Sequence, residues 1–220
     1  MADSKSRQEI VVLVHGLWVR GWSMALLARR LRAQGHDVQV FNYPTTSHCL
    51  ADHADALRAF IGGLDVGKLH LVGHSMGGLV ILNLLNRYHD LPPGRVVLMG
   101  SPVKGSKVVR RLEKLPGHEH LFGKARENLL QGYDHAPGAH ETGMIRGTRA
   151  LGLGQVTGKV GEPSDGTVAV SETDLEGAKD SVELGVTHTE MLVSAHVARQ
   201  VGHFLRHGEF LAIDRDTGSE

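Results

Sequence analysis

Cysteine is almost missing from this sequence, and so is any excess of charge. Cys49 is the single cysteine among 220 residues, so no disulfide can form within the chain, and this usage fits a reducing compartment. The 24 lysine and arginine residues balance 24 aspartate and glutamate residues, for a formal net charge of 0. A balanced charge gives no general attraction to phosphate backbones, so nucleic acid is not an expected partner.

Long hydrophobic runs are missing as well. The first apolar segment, Ile10–Val14, ends at His15-Gly16, which makes it too short for a secretory signal or a membrane span. No other targeting signal is visible, and we therefore expect a cytoplasmic protein without stable membrane insertion. Aromatic residues make up only 5% of the chain, but it has 28 glycines. Most of these glycines end apolar segments, which indicates tight turns in an ordered fold.

Strand-like and helix-like segments alternate along the chain. Continuous apolar runs are typical of strands buried on both faces, and apolar residues at helical spacing are typical of amphipathic helices. The predicted strands are Ile10–Val14, Asp37–Tyr43, Leu69–Val72, Arg95–Met99, Met144–Thr148 and Ser181–Thr187. The predicted helices are Ser23–Gln34, Leu50–Ile61, Met76–Tyr88, Val108–Leu115, Ala125–Leu130 and Thr189–His207.

This alternation predicts an α/β fold. Strands that are joined by helices form right-handed units, so we expect a mostly parallel central sheet with helices on both faces. Residues 1–220 are expected to form a single domain. The pattern loosens between Ser101 and about Arg149, and residues 103–143 are expected to form a short lid-like insertion over the carboxyl edge of the sheet.

One serine lies between two glycines at the junction of a predicted strand and a predicted helix. Gly73, Ser75 and Gly77 form the pattern G-x-S-x-G. A chain that reverses from strand to helix within a few residues needs glycine on both sides of the turn. The serine oxygen then projects at a helix N-terminus, where backbone N–H groups favour developing negative charge. This context predicts a nucleophile. The alternative is a glycine-rich turn with Ser75 as an inert helix cap; a phosphate-binding loop would need a Lys-Ser/Thr pair that is absent.

Five short motifs carry a resemblance to a known superfamily. They are His15-Gly16-Leu17, Gly73-His74-Ser75-Met76-Gly77-Gly78, Gly100-Ser101-Pro102, Asp165-Gly166-Thr167-Val168 and a late His188. Together they resemble the α/β-hydrolase superfamily, in particular its small bacterial lipases and esterases. The resemblance covers about Ile10 to Leu205 and is weakest in the insertion. It implies the α/β-hydrolase fold and a serine hydrolase that requires no metal or organic cofactor.

The resemblance also implies an oxyanion hole made of two backbone N–H groups. In these lipases one donor follows the first-strand His-Gly and the other follows the nucleophile, which places them at Leu17 and Met76. Such donors stabilise the negative charge of the tetrahedral intermediate. His15 is expected to fix the loop by hydrogen bonding and not to transfer a proton.

The acid and the base follow from the chain order of this superfamily, which is Ser, then Asp or Glu, then His. Of fifteen histidines, His188 lies between the last predicted strand and the final helix, where the base is expected. Asp165 stands in the Asp-Gly-x-Val position that holds the acid in the resembling lipases. Asp174 and Asp180 are the competing carboxylates. The alternative role for His188 is a structural one, as a histidine that caps the start of the final helix.

Two tryptophans and a group of histidines have other candidate roles. Trp18 and Trp22 follow the first-strand loop, so each is expected either to wall an acyl or alcohol pocket or to pack in the core. The insertion and its end hold His118, His120, His135 and His140. Neither an H-E-x-x-H pattern nor a cysteine pair accompanies them, so we expect solvated loop histidines and no metal site.

These motifs predict a carboxylic ester hydrolase, either an esterase or a lipase-like enzyme. Its substrate would be a small-molecule ester or a lipid-like ester, cleaved through an acyl-enzyme intermediate on Ser75. A thioesterase, acyltransferase, amidase or lactonase would use the same three side chains. The alternative outside enzymes is a binding protein of the hydrolase fold with an idle site.

Overall fold

A parallel sheet of six strands forms the middle of the structure. The computed structural model describes residues 8–114, 116, 122–151 and 163–213. The strands are β1 (Gln8–Val14), β2 (Asp37–Phe41), β3 (Val66–His74), β4 (Arg95–Met99), β5 (Glu141–Gly147) and β6 (Asp180–Leu184). They lie side by side in the order β2-β1-β3-β4-β5-β6, and every neighbouring pair is parallel. Each predicted strand is present, and the predicted fold class is confirmed.

The two faces of the sheet are covered by different helices. Within the described ranges the α-helices are α1 (Ala25–Ala33), α2 (Leu50–Gly62), α3 (Met76–Arg87), α4 (Lys107–Leu112), α5 (Ala125–Leu130) and α6 (Ala195–His207). Side chains alternate along a strand. Leu13 of β1 therefore packs on the face covered by α1 and α6, whereas Val12 and Val14 pack on the face covered by α2 and α3. In the described part of the chain, each helix is too short or too polar to cross a lipid bilayer.

The carboxyl ends of the strands meet at one edge of the sheet, because all of them run in the same direction. At this edge β1 ends at Val14, β3 ends at His74 and β4 ends at Met99. The loops that follow these strands carry the sequence motifs. The sheet therefore brings together residues that are far apart in the chain.

The chain after β5 differs from the prediction. Strand β6 ends at Leu184, and the predicted final helix is divided into a 3₁₀ turn, Glu190–Leu192, and α6. Ser194 separates the two pieces, because its backbone is extended and its Oγ accepts a hydrogen bond from Val197 N of α6. A capped start of this kind favours a new helix over the continuation of the previous turn. His188 lies in the loop between β6 and this 3₁₀ turn, where the sequence places it.

The described part of the insertion is fastened to the body of the protein. Lys124 N donates to Thr46 O at 3.0 Å, and Leu50 N at the start of α2 donates to Asn128 Oδ1 at 3.0 Å. Helices α4 and α5 are both short, and the predicted end of α4 at Leu115 lies outside the described residues. These bonds hold α5 against the loop that precedes α2.

Candidate active site

The turn at Ser75 joins β3 directly to α3. Ser75 has φ +55° and ψ −124°, a conformation that a residue with a side chain adopts only under strain. Its backbone N donates to Met99 O of β4 at 2.9 Å, which ties the turn to the neighbouring strand. Met76, the next residue, is buried and begins α3. The first N–H groups of a helix have no acceptor within it, so the Ser75 side chain lies beside free donors.

The glycines of this turn are required by the close approach of other backbone segments. A Cβ at Gly73 would lie 2.6 Å from Gly78 Cα, and a Cβ at Gly77 would overlap the carbonyl group of Val14. Neither contact can be relieved by rotating a side chain, because backbone atoms stand on both sides. The G-x-S-x-G spacing thus lets α3 start directly against β1 and β3.

Asp165 and His188 form a hydrogen-bonded pair at the same edge of the sheet. His188 Nδ1 donates to Asp165 Oδ2 at 2.7 Å, and His188 N donates to Asp165 O at 2.9 Å. The other carboxylate oxygen, Oδ1, accepts hydrogen bonds from Thr167 N at 2.9 Å and Val168 N at 2.7 Å. With Nδ1 protonated, Nε2 of a neutral His188 ring is the nitrogen that can accept a proton.

The loop that carries His188 is held on both sides. Glu190 N donates to Thr187 Oγ1 at 3.2 Å, and Thr187 N donates back to Glu190 Oε2 at 2.7 Å. On the opposite side Gly100 follows β4, with φ +54°; a Cβ there would lie 2.9 Å from Asp165 Oδ2 and 3.1 Å from His188 Nδ1. Only a glycine leaves room for the pair at this position.

Ser75 and His188 line one cavity of about 300 Å³. Its remaining lining is mostly apolar: Gly16, Leu17, Trp18, Val19, His74, Pro102, Ser106, Val108, Val109, Phe122, Leu129, Leu151, Thr167, Val168, Thr189 and Leu192. Carboxylate, ammonium and guanidinium groups are absent from these described lining residues. Helices α4 and α5 contribute part of this wall, so the insertion shapes the cavity.

A comparison with protein families assigns the chain. Residues 11–209 match the model of the "Alpha/beta hydrolase family". The chain belongs to this family. The match covers Ser75, Asp165, His188 and all of the sheet except the first three residues of β1.

Curated relatives and solved structures are similar to this alpha/beta hydrolase at low identity. RutD of Pantoea ananatis, which is provisionally named a carbamate hydrolase, is 32% identical over 122 residues, 50% of this chain and 43% of its own length. A 2-hydroxy-6-oxononadienedioate/2-hydroxy-6-oxononatrienedioate hydrolase of Pseudomonas is 26% identical over 167 residues, 66% of this chain and 57% of its own. The chain thus spans about half the length of these relatives.

Two solved structures share the fold. The mature lipase BlEst2 of Bacillus licheniformis superposes with a TM-score of 0.73 at 18% identity, covering 94% of each chain. The metagenomic carboxyl esterase MGS0156 gives a TM-score of 0.64 at 16% identity, covering 83% of this chain and 65% of that one.

His74 of this alpha/beta hydrolase joins the Ser75 turn to the His188 loop, a contact that the sequence did not predict. His74 Nε2 donates to His188 O at 2.9 Å, and the two rings lie 4.6 Å apart. Burial, and then repulsion from the neighbouring His188 ring, lowers the pKa of His74 to about 3. His74 is therefore a neutral donor at ordinary pH.

The two tryptophans of the first-strand loop have different positions. Trp18 lines the cavity and stacks on Phe122 with the ring centres 5.4 Å apart. Trp22 is 75% exposed and is not among the described residues that line the cavity. Neither expectation for Trp22, a pocket wall or a core residue, agrees with this position. The cause is local: Trp22 is the second residue of the 3₁₀ turn Gly21–Met24 before α1, and in this turn Met24 is the residue that packs in the core. Leu17 is half-buried and lines the cavity, and its N–H makes no hydrogen bond to a described acceptor.

The histidines of the insertion do not form a cluster within the described ranges. His135 is exposed and pairs with Glu176 at 3.4 Å, whereas His140 is buried beside the carbonyl of Pro92 at 3.2 Å. His118 and His120 lie outside the described residues. The described chain contains no group of three or more metal-ligating side chains.

We expect Gly77→Ala to destabilise the protein strongly, because its Cβ would overlap the Val14 carbonyl. The unfolding free energy should fall by about 3 kcal/mol or more, a loss in Tm on the order of 10 °C. Gly185→Ala is the matched control, since a Cβ there has open space around it. Its Tm should be unchanged or slightly raised. Thermal unfolding followed by circular dichroism checks both, and equal Tm values for the two variants would contradict the close approach.

The lowered pKa of His74 makes stability depend on pH. Its pKa falls from 6.5 in the unfolded chain to about 3 in the folded one. Between these values the unfolded chain binds a proton at His74 and the folded chain does not, so the unfolding free energy decreases as the pH is lowered through this window. His74→Gln removes this proton uptake. We expect the variant to lose less Tm than the wild type between about pH 7.5 and about pH 4.5; equal losses would show that His74 is not a buried neutral group.

Proposed function

We propose that this alpha/beta hydrolase is a serine hydrolase that cleaves carboxylic esters through an acyl-enzyme on Ser75. The observation that carries the proposal is the 2.7 Å bond between Asp165 Oδ2 and His188 Nδ1, with His188 lining the same cavity as the strained Ser75. A hydroxyl, an imidazole and a carboxylate in this relation form a serine nucleophile with its base and its orienting acid.

In the proposed reaction the Ser75 hydroxyl attacks the carbonyl carbon of the ester. His188 Nε2 takes the hydroxyl proton as the C–O bond forms, and the carbonyl electron pair moves onto the oxygen. The N–H groups of Leu17 and Met76 donate to this oxyanion. When the intermediate collapses, His188 returns the proton to the leaving alcohol. Water then attacks the acyl-enzyme by the same steps and releases the acid.

Asp165 would hold His188 without taking its proton. The Asp165 side chain is 1% exposed and has the bonds to both backbone N–H groups and to the imidazole that its ionised form requires. A fixed carboxylate keeps Nδ1 protonated and stabilises the imidazolium while the proton is on Nε2.

The cavity supports an ester with an uncharged acyl group. Apolar side chains surround Ser75, and a charged acyl chain would lose its hydration there without gaining a partner among the described lining residues. Two of the similar structures are named a lipase and a carboxyl esterase. An acyl-enzyme of the same kind would form from a thioester, an amide or a lactone, so one substrate of each kind is compared with the ester.

We expect Ser75→Ala to abolish hydrolysis of p-nitrophenyl butyrate, with kcat reduced about 10⁶-fold, as for other serine triads. Wild-type protein should take one fluorophosphonate label per chain at Ser75, and Ser75→Ala none. Ser181→Ala, an exposed serine on β6, is the control and should keep wild-type turnover and labelling. Phenyl thiobutyrate, a butyryl amide and γ-butyrolactone run in parallel identify the preferred bond. Unchanged turnover in Ser75→Ala would refute the proposal.

A second variant pair tests the choice of acid. Asp165→Asn should lower kcat about 10⁴-fold, because the amide favours the wrong tautomer of His188. Asp174→Asn should have little effect, since Asp174 is exposed and its described contact is with Arg146 at 3.4 Å. Steady-state kinetics with p-nitrophenyl butyrate compares them. A larger loss of kcat in Asp174→Asn than in Asp165→Asn would show that Asp174, and not Asp165, is the acid.

A further inference from the structure

A second concave region adjoins the cavity at Trp18. It has a volume of about 430 Å³ and shares Trp18 and Val19 with the cavity. Its other lining residues are Arg20, Asn42, Tyr43, Pro44, Thr45, Thr46 and Ser47. We call this region the Arg20 groove. It lies between the loop after β1 and the loop after β2, directly beside Leu17.

The Arg20 groove offers hydrogen-bond donors and a positive charge. Arg20 is exposed and forms no ion pair with a carboxylate in the described ranges. Thr45, Thr46 and Ser47 add hydroxyl groups that can donate. The described lining contains no aspartate or glutamate that would compete for the guanidinium. This set of side chains suits a carboxylate or phosphate group.

Trp18 forms a fixed wall between the groove and the cavity. Its backbone has φ +60°, and its N–H donates to Thr45 Oγ1 at 3.2 Å. Its ring stacks on Phe122 at 5.4 Å. Backbone and ring are therefore held from opposite sides, one by the groove and one by the insertion. The wall separates an apolar compartment that contains Ser75 from a polar compartment that does not.

An ester has two parts that would match these two compartments. The acyl chain suits the uncharged cavity around Ser75 and His188. The alcohol part leaves the reaction and can extend past Trp18, because the proposed oxyanion donor Leu17 directly precedes the wall in the chain. The Arg20 groove thus meets the cavity at the residues that directly follow the proposed oxyanion donor.

We propose that the Arg20 groove binds an anionic group on the alcohol part of the substrate. The substrate class is then an ester of an uncharged acyl chain with an alcohol or phenol that bears a carboxylate or a phosphate. This inference rests on the proposed esterase activity. Arg20 acts in recognition and takes no part in the transfer of the acyl group.

The test uses three butyrate esters that differ only in the para substituent of a phenol. One bears a carboxylate, one a phosphate and one a neutral carboxamide. Each rate is compared between Arg20→Gln and wild type, so differences in leaving-group reactivity cancel. Arg199→Gln, an exposed arginine on α6, is the control.

We expect Arg20→Gln to raise KM for the carboxylate and phosphate esters by about fivefold, as for the loss of an exposed ion pair, and to leave kcat unchanged. The neutral ester should show the same KM in all three proteins. Added salt should reduce the difference in KM between Arg20→Gln and wild type for the anionic esters, because it screens exposed charges. A larger effect on one anionic ester identifies which anion the groove prefers. Equal KM changes for neutral and anionic esters, or none at all, would overturn the inference.

A binding measurement separates this inference from the esterase proposal. The carboxylate-bearing butyramide, an analogue with an amide in place of the ester, is titrated calorimetrically into Ser75→Ala and into Ser75→Ala with Arg20→Gln. We expect its Kd to be about fivefold weaker in the second protein, whether or not the wild type hydrolyses esters. Equal Kd values would reject the Arg20 groove as an anion site, whereas failure of p-nitrophenyl butyrate hydrolysis alone would reject only the esterase proposal.

Discussion

The close approach of three backbone segments at the Ser75 turn is the constraint on which the rest of this structure depends. The Val14 carbonyl leaves no space for a side chain at Gly77, and the backbone of Gly78 leaves none at Gly73. The turn holds Ser75 at φ +55°, a strain of about 1–3 kcal/mol. The burial of most of α3 against the sheet offsets this strain, because each large apolar side chain removed from water contributes about 1.5–3 kcal/mol. The strained serine is thus held by one of the most buried helices of the described chain.

The sheet could be predicted from the sequence because each strand is marked within its own residues. Continuous apolar runs such as Ile10–Val14 have no polar face, so only a strand or helix buried on both sides accommodates them. The division of the last helix could not be predicted in this way. An apolar stripe runs through Val193, Val197 and Val201 and indicated one helix, but local hydrogen bonds of Thr187 and Ser194 start two separate elements. Periodicity identified the buried positions Val197 and Val201 but not the interruption, and Val193, which lies before it, is exposed.

The candidate site divides in the same manner. Ser75 was marked by its flanking glycines, and Asp165 and His188 by their order in the chain; the structure joins the latter two by a hydrogen bond. His74 was not marked, because its partner is the backbone carbonyl of His188, which every residue possesses. Trp22 could not be told from Trp18 in the sequence. They differ in position because the chain turns between them, and this turn depends on contacts with the loop after β2.

That first-strand loop connects the proposed chemistry to the proposed recognition. His15 is fully buried, its Nδ1 donates to Gly16 O at 3.0 Å, and Tyr43 OH donates to His15 O at 2.8 Å. Burial lowers the pKa of His15, so this buried ring stays a neutral hydrogen-bonding group. Leu17, the Trp18 wall and Arg20 follow in the chain, and this segment is tied to the loop after β2 by the bonds of Trp18 N to Thr45 Oγ1 and of Gly21 N to Asn42 Oδ1. A shift of this segment would move the proposed oxyanion donor and the anion-binding side chain together, because Leu17 and Arg20 are only three residues apart. Acyl transfer and selection of the alcohol part would then depend on the same few hydrogen bonds between side chains and the backbone of this loop.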